Sequence, residues 1–273
     1  GREHVCKRIQ LHLTPGVDGV LDKDFLTCDL SPGQELSEEF TITVAATQAG
    51  KTLARIGIEA AGDGVKPARE TLTVEHPLLR IAALDSVTRV AEALRDAMAY
   101  PVGRNRGPQP AADGLADLRF AVAGDELAMH AVVRDGNIGI TEMLWDGSCI
   151  ELFACTPDRE TLSEFVGGMP IGHVYLTPET DKGPAGGYVH QDNRPRADAA
   201  IRVASTPHKD GYLLSALIPL RLLCVNPDNR SFLFECEVNT GKDRDGKGRR
   251  MSLFGSGLAY KETVQYALAV VNS

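Results

Sequence analysis

The stretch LWDGSCIELFAC, residues 144–155, holds the single tryptophan of the chain, Trp145, and, six residues later, the carboxylate of Glu151. An indole beside a turn can plug a core or lay its ring on the apolar face of a ligand. The turn is Asp146-Gly147, a pair that favours chain reversal. Beyond it, Ile150, Leu152 and Ala154 alternate with Glu151 and Phe153, the period of a half-buried strand. Glu151 therefore faces away from the apolar side. A straight strand would carry Trp145 and Glu151 on one face but about 20 Å apart. For both to meet one ligand, the turn must lift Trp145 off the strand line and fold its ring back over Glu151. Cys149 and Cys155 share one strand face and are expected to point inward as small hydrophobes. Their separation of about 20 Å exceeds the roughly 7 Å between Cα atoms that a disulfide spans, so they are not expected to bond to each other.

Other chemistry is sparse. His130, His173, His190 and His208 share no metal-ligand spacing and read as surface or core histidines. The six cysteines include no C-x-x-C pair. No G-x-S-x-G, Walker loop, H-E-x-x-H or dinucleotide fingerprint occurs, so the chain does not read as an enzyme. The loop GKDRDGKG alternates oxygen donors with glycine in the manner of a calcium loop. It lacks the twelve-residue pattern, and lysine and arginine interrupt it.

The elements that must position these residues are mostly strands. The chain has 273 residues, comfortable for two domains, with 43% hydrophobic and 24% charged residues and a net charge of -8. That balance gives no reason to expect nucleic acid or an anionic membrane as partner. No apolar run approaches the roughly 18 residues that span a bilayer. The opening GREHVCKRIQ is charged and is not a signal peptide, and the natural chain is expected to extend upstream. Residues 1–77 read as short strands with turn punctuation, KRIQLHL, DFLTCDL, EEFTITVAA, KTLARIGIEAAG and RETLTVEH, the signature of a β-sandwich. Pro77 begins a transition. Val87, Val90, Ala91, Leu94 and Met98 then recur at helical spacing, with Ser86 as cap and Pro101 as stop, which predicts a helix over 86–99. From residue 117 the strands return and run to the closing YALAVV.

The order of these later segments carries a resemblance. DLRFAV, DELAMHAVVRD, WDGSCIELF, AAIRVAS, DGYLLSALIP, FECEVN and GKGRR follow one another as in the family 9 carbohydrate-binding modules and their relatives. The resemblance spans residues 78–273 and implies a second β-sandwich. LSPGQELSEEFTITVAA followed by AGKTLARIGIEA resembles the bacterial immunoglobulin-like domains found beside glycosidases, which implies a spacer over 1–77. The fold class expected is all-β, two sandwiches in series. Residue by residue, Trp145 matches the family's first aromatic wall and Glu151 its hydroxyl-accepting carboxylate. Arg202 in AAIRVAS matches the arginine on the following strand, and Tyr260 in AYKETVQYA stands where the second wall is a tryptophan. The chain departs from the family at Ser148 and Thr240, where aspartate is common, and at Gly257, where an asparagine helps to bind sugar.

Such a site has a simple logic. A pyranose shows apolar C–H patches on its faces and hydroxyls on its rim, so rings cover the faces while a carboxylate accepts and a guanidinium donates at the rim. An open site of this kind binds at micromolar strength at best, roughly -8 kcal/mol. The function implied is a non-catalytic carbohydrate-binding region of a larger secreted or periplasmic carbohydrate-active protein. Its partners would be carbohydrate and a catalytic domain of the same parent chain. No cofactor is implied beyond a structural calcium, which the family can carry. A sandwich that packs on a neighbouring catalytic domain and binds no sugar is the alternative. A third reading is a haem-binding electron-transfer domain, since relatives of this sandwich hold haem through Met or His and the chain offers Met129, His130, Met143 and His173.

Overall fold

The structure is a computed structural model that describes residues 8–13, 19–21, 25–26, 42–44, 50–62, 65–103, 114–156, 171–229, 231–255 and 266–272, with side chains from Leu79 onward. The chain divides into two compact units, Gly1–Leu78 and Leu79–Ser273. The described elements are strands with one short α-helix and two 3₁₀ turns. Among the described residues no helix is long and apolar enough to cross a membrane.

In the first unit, β1 (Arg8–Leu13), β2 (Gly19–Leu21), β3 (Phe25–Leu26) and β4 (Ile42–Val44) precede two long strands, β5 (Gly50–Gly62) and β6 (Val65–Leu84), the last residues of β6 belonging to the second unit. β5 and β6 form an antiparallel hairpin with an irregularity between Ala60 and Gly62. β1 pairs with β5 and with β3, while β2 and β4 form a separate small sheet. Pro77 does not interrupt β6. Its ladder with β5 ends at Gly50 opposite Leu78, so the proline's missing N–H falls where that pairing is ending.

The second unit is an all-β sandwich. It continues with β7 (Tyr100–Val102), β8 (Ala116–Ala123), β9 (Glu126–Arg134), β10 (Cys149–Cys155), β11 (Gly172–Thr177) and β12 (Gly186–Gln191). β13 (Arg194–Ala197), β14 (Arg202–His208), β15 (Gly211–Pro219), β16 (Ser231–Asn239), β17 (Arg250–Ser252) and β18 (Ala267–Asn272) complete it. The hydrogen-bonded order is β13-β12-β11-β10-β16-β18-β6-β8-β9-β15-β14, with β17 beside β16 and β7 beside β8; the arm from β13 to β18 forms one layer and the arm from β8 to β14 the other, joined through the end of β6. The last residues of β6 pair parallel with β8, Ala82 opposite Ala121.

Alternation decides what lies between the layers. Ile150, Leu152 and Ala154 of β10 join Val174 and Leu176 of β11 and Phe234, Cys236 and Val238 of β16 in one buried cluster. Leu118 and Phe120 of β8, Leu127 and Met129 of β9, and Leu214 and Ile218 of β15 meet them from the other layer. Phe120 and Phe234 pack edge to face with ring centroids 5.1 Å apart.

The helix expected over 86–99 shrinks to α1, Val90–Ala93. Ser86 does not cap it. Arg89 takes the N-cap position without a side-chain capping bond, and Leu94 leaves helical geometry. Val90 and Leu94 are buried, in a small cluster with Ala121, Ala128 and Leu217, whereas Met98 is 51% exposed. Short helices are marginal without a packed face, and here the packed face is a single turn long.

Leu152 is fully buried at the centre of the large cluster. Leu152→Ala should lower stability by about 2–5 kcal/mol, read as a fall in the urea midpoint at constant slope; a loss under about 1 kcal/mol would contradict the placement of this face.

Candidate functional site

Strand register gathers the polar residues of the first layer onto its outer face. On β10 the residues between the core positions are Cys149, Glu151, Phe153 and Cys155. Glu151 lies opposite Tyr175 on β11 and Glu237 on β16; Phe153 lies opposite His173 and Glu235. Cys149 is opposite Asn239, which in turn is opposite Arg250 on β17. Tyr188 on β12 pairs with Tyr175, and His190 follows two residues later on the same face. Trp145 reaches this face from a 3₁₀ turn, Leu144–Asp146, just before β10. Of these side chains, Trp145, Glu151, Phe153, His173, Tyr175, His190, Glu237 and Arg250 line a cleft of about 590 Å³.

Glu151 is the hub. It is only 3% exposed. Its Oε1 accepts a bond from Asn239 Nδ2 at 2.6 Å, and its Oε2 lies 2.8 Å from His173 Nε2. The Arg250 guanidinium stands 3.6 Å from Oε1 and 3.8 Å from Glu237 Oε2. Arg250 also donates from Nε to Asn239 Oδ1 at 2.8 Å and from Nη2 to the Trp145 carbonyl at 2.9 Å. The one cation thus stands beside two buried carboxylates and ties down the turn that carries the indole.

The other wall is made of rings. His173 lies against Phe153 and Tyr175, each at a 4.2 Å centroid distance, and stacks on His190 at 5.0 Å and 17°. Trp145 is 6.1 Å from Tyr175 and 6.3 Å from His190. Tyr175 is fully buried, Trp145 half-buried and His190 exposed. Burial, the neighbouring His173 and, in the opposite sense, Glu151 act on His190, and the balance lowers its pKa below the ordinary imidazole value.

Two buried carboxylates hold the surrounding loops. Asp135 accepts bonds from Ser148 Oγ (2.6 Å), the Gly241 N–H (3.0 Å) and the Asn137 N–H (3.0 Å). This pins the segment before Trp145 to the end of β16. The approach leaves no room for side chains: a Cβ on Gly241 would lie 1.6 Å from the Asn137 carbonyl oxygen, and one on Gly147 would lie 2.6 Å from that of Gly139. Glu235 gathers the N–H groups of Cys236 (2.8 Å), Leu253 (3.1 Å), Phe254 (3.0 Å) and Gly255, fixing the chain that leaves β17. Burial pushes the Glu235 carboxyl up to about 8, against the pull of those donors.

Of the residues singled out in the sequence, the structure brings Trp145 and Glu151 to one cleft. Trp145 sits off the strand line, on its own turn, and packs beside Leu144, Cys149 and Tyr175. Glu151 is not on a solvated face, because loops and rings cover it. Arg202 is a correction. It lies on β14, an edge strand of the opposite layer, 60% exposed and paired with Glu126 at 2.5 Å. The strand that follows β10 is β11, and the guanidinium of the cleft is Arg250, from the GKGRR segment. Tyr260 and Gly257 lie outside the described residues.

Cys149 and Cys155 are free, buried thiols. They do share a face, but it is the Glu151 face rather than the inter-layer core. The Asp243 carboxylate in the GKDRDGKG loop is engaged by the Asp245 and Lys247 N–H groups, each at 2.9 Å. Among the described residues no three His, Cys, Asp or Glu side chains gather as metal ligands. Met129, His130, Met143 and His173 are dispersed: Met129 is core, His130 bonds Ser215, Met143 is exposed and His173 bonds Glu151.

Sequence reasoning did not select Tyr175, His190, Asn239 or Arg250, and it offered His173 only as a haem ligand. A signal existed in GHVYLT and SFLFECEVN, where polar or aromatic residues alternate with apolar ones. Their meeting depends on register, which alternation alone does not give.

No family model matches the sequence, and no curated protein matches it. Among solved structures the chain is similar to a family 9 carbohydrate-binding module from Caldicellulosiruptor kristjanssonii in complex with cellotriose. Identity is 15% and the TM-score 0.51, over 72% of this chain and 94% of that one. It is likewise similar to a family 9 module from that organism in complex with glucose, at 14% identity and TM-score 0.50, over 72% of this chain and 96% of that one. The likeness is one of fold. The chain carries an all-β sandwich of the family 9 kind.

Glu235→Ala would remove the carboxylate that accepts from the part-buried Phe254 and Gly255 N–H groups, while Leu253 N–H keeps the Cys236 carbonyl, and would loosen the chain that presents Arg250. It should cost about 3–5 kcal/mol in chemical denaturation; a variant within 1 kcal/mol of the parent would show that Glu235 does not hold this segment.

Proposed function

We propose that the second unit is a non-catalytic carbohydrate-binding module that takes a neutral glycan end into the cleft of Trp145, Glu151 and Arg250. The observation that carries this is the pairing of a half-exposed indole with a buried, pre-oriented carboxylate and guanidinium in one open cleft. An indole can lie on the C–H face of a pyranose while Glu151 accepts and Arg250 donates at its rim. Because these groups are already held by Asn239 and His173, little ordering is left to be done on binding. The sandwich has the fold of modules that carry glucose and cellotriose, which supports these two as first probes.

In this reading Tyr260 supplies a second ring, and residues 1–77 form an immunoglobulin-like spacer. The region then belongs to a longer secreted or periplasmic protein with a catalytic domain in the same parent chain. One observation favours the alternative, a sandwich that only packs on a neighbouring domain. Both Glu151 oxygens already have protein partners, so a sugar must share them.

Trp145→Ala separates the two. If the ring is a platform, calorimetric titration with cellotriose loses its heat while the loss of stability stays near 1–3 kcal/mol, below the roughly 3–5 of a fully buried tryptophan. A parent protein silent to glucose, cellotriose and a wider glycan array would remove the sugar reading.

A further inference from the structure

We propose that His190 is a ligand-binding residue of the cleft and that Tyr175 fixes it in the tautomer presenting an Nε2–H donor to a glycan oxygen. The inference rests on the sugar reading above and adds to it the donor wall and the residue that sets it.

The argument starts at Glu151. A carboxylate only accepts, so the nitrogen 2.8 Å from its Oε2, His173 Nε2, carries a proton. In neutral His173 the other nitrogen, Nδ1, is then a lone pair. The Tyr175 hydroxyl stands between two such nitrogens, 3.4 Å from His173 Nδ1 and 2.8 Å from His190 Nδ1. A phenol has one proton to give, and the shorter contact takes it. Burial first, then the nearby Glu151, raise the Tyr175 pKa, so the hydroxyl stays a neutral donor. His190 Nδ1 is therefore the acceptor, and the ring's own proton sits on Nε2.

That donor has an open direction. His190 is exposed and lines the cleft, and its Nε2 has no hydrogen-bond partner among the described residues. The ring is held flat by its stack on His173 and flanked by Trp145. The charged and titratable groups around it come from every neighbouring strand: Glu151 on β10, Glu237 on β16, Arg250 on β17 and His173 on β11. In its own hairpin Asp192 is occupied by Arg196 at 2.6 Å. The cleft thus sets an accepting carboxylate against a donating imidazole, with His173 bonded to Glu151 at one end and Tyr175 bonded to His190 at the other. A hydroxyl-bearing neutral ligand with oxygen acceptors fits both ends.

Two measurements test this. Long-range ¹H–¹⁵N spectra of the histidine rings report the tautomers in the free protein and in Tyr175→Phe. Calorimetry with cellotriose compares the parent with His190→Ala, His190→Gln and Tyr175→Phe. The expected result is an Nε2–H His190 in the parent and a mixture of tautomers in Tyr175→Phe. Affinity should fall about tenfold in His190→Ala, the loss of one hydrogen bond, and partly recover in His190→Gln, whose amide can donate. Tyr175→Phe should fall between the two. An Nδ1–H ring in the parent, an unchanged tautomer in Tyr175→Phe, or unchanged affinity in His190→Ala would overturn the proposal. A parent that binds no glycan would overturn the sugar reading and with it the ligand role of His190, while the ring spectra would still decide whether Tyr175 sets the tautomer.

Discussion

Everything on the outer face of the first layer is arranged around one buried charge, the carboxylate of Glu151. An ion-sized group taken from water loses several kcal/mol of hydration even after relaxation. Here Asn239, His173 and the nearby Arg250 offset that cost. Each comes from a different strand, so the charge requires β10, β11, β16 and β17 to be in one register. A slip of one residue on any of them would turn its polar residue into the inter-layer core.

Arg250 extends the effect beyond the sheet. Its donation to the Trp145 carbonyl links the turn before β10 to β17. The same guanidinium therefore faces two carboxylates and sets the indole beside them. Asp135 and Glu235 hold the two loops from behind, so the cleft is framed by buried carboxylates that bind backbone rather than ligand. The arrangement is open, polar on one wall and aromatic on the other. The proposed sugar reading uses both walls, one for the rim of a sugar ring and one for its face.

Much of the fold could be read from the chain because period-two alternation is a direct consequence of strand geometry. Ile150, Leu152 and Ala154 fell on the core face as their spacing implied. Trp145 was rightly set off the strand line, since the Asp146-Gly147 pair turns the chain. The helix over 86–99 was overestimated because periodicity counts apolar positions without asking what covers them; Val90 and Leu94 are buried, Val87 only partly, and Met98 is exposed. Arg202 was assigned by segment order, and order says nothing about layers: β14 closes the opposite side. Arg250, His173 and His190 were hidden for the same reason. Their role is created by pairing across strands distant in sequence, and the nearest local trace was the alternation in GHVYLT and SFLFECEVN.

The central claim is that a glycan occupies the cleft beside Trp145 and Glu151. The chain has a single tryptophan, so its indole N–H gives one resolved peak in a ¹H–¹⁵N correlation spectrum. Titration with cellotriose should shift that peak together with signals of Tyr175, His190 and Arg250, saturating at one binding constant. Saturating sugar that leaves the indole peak in place, or that moves only residues of β14 around Arg202, would contradict the account.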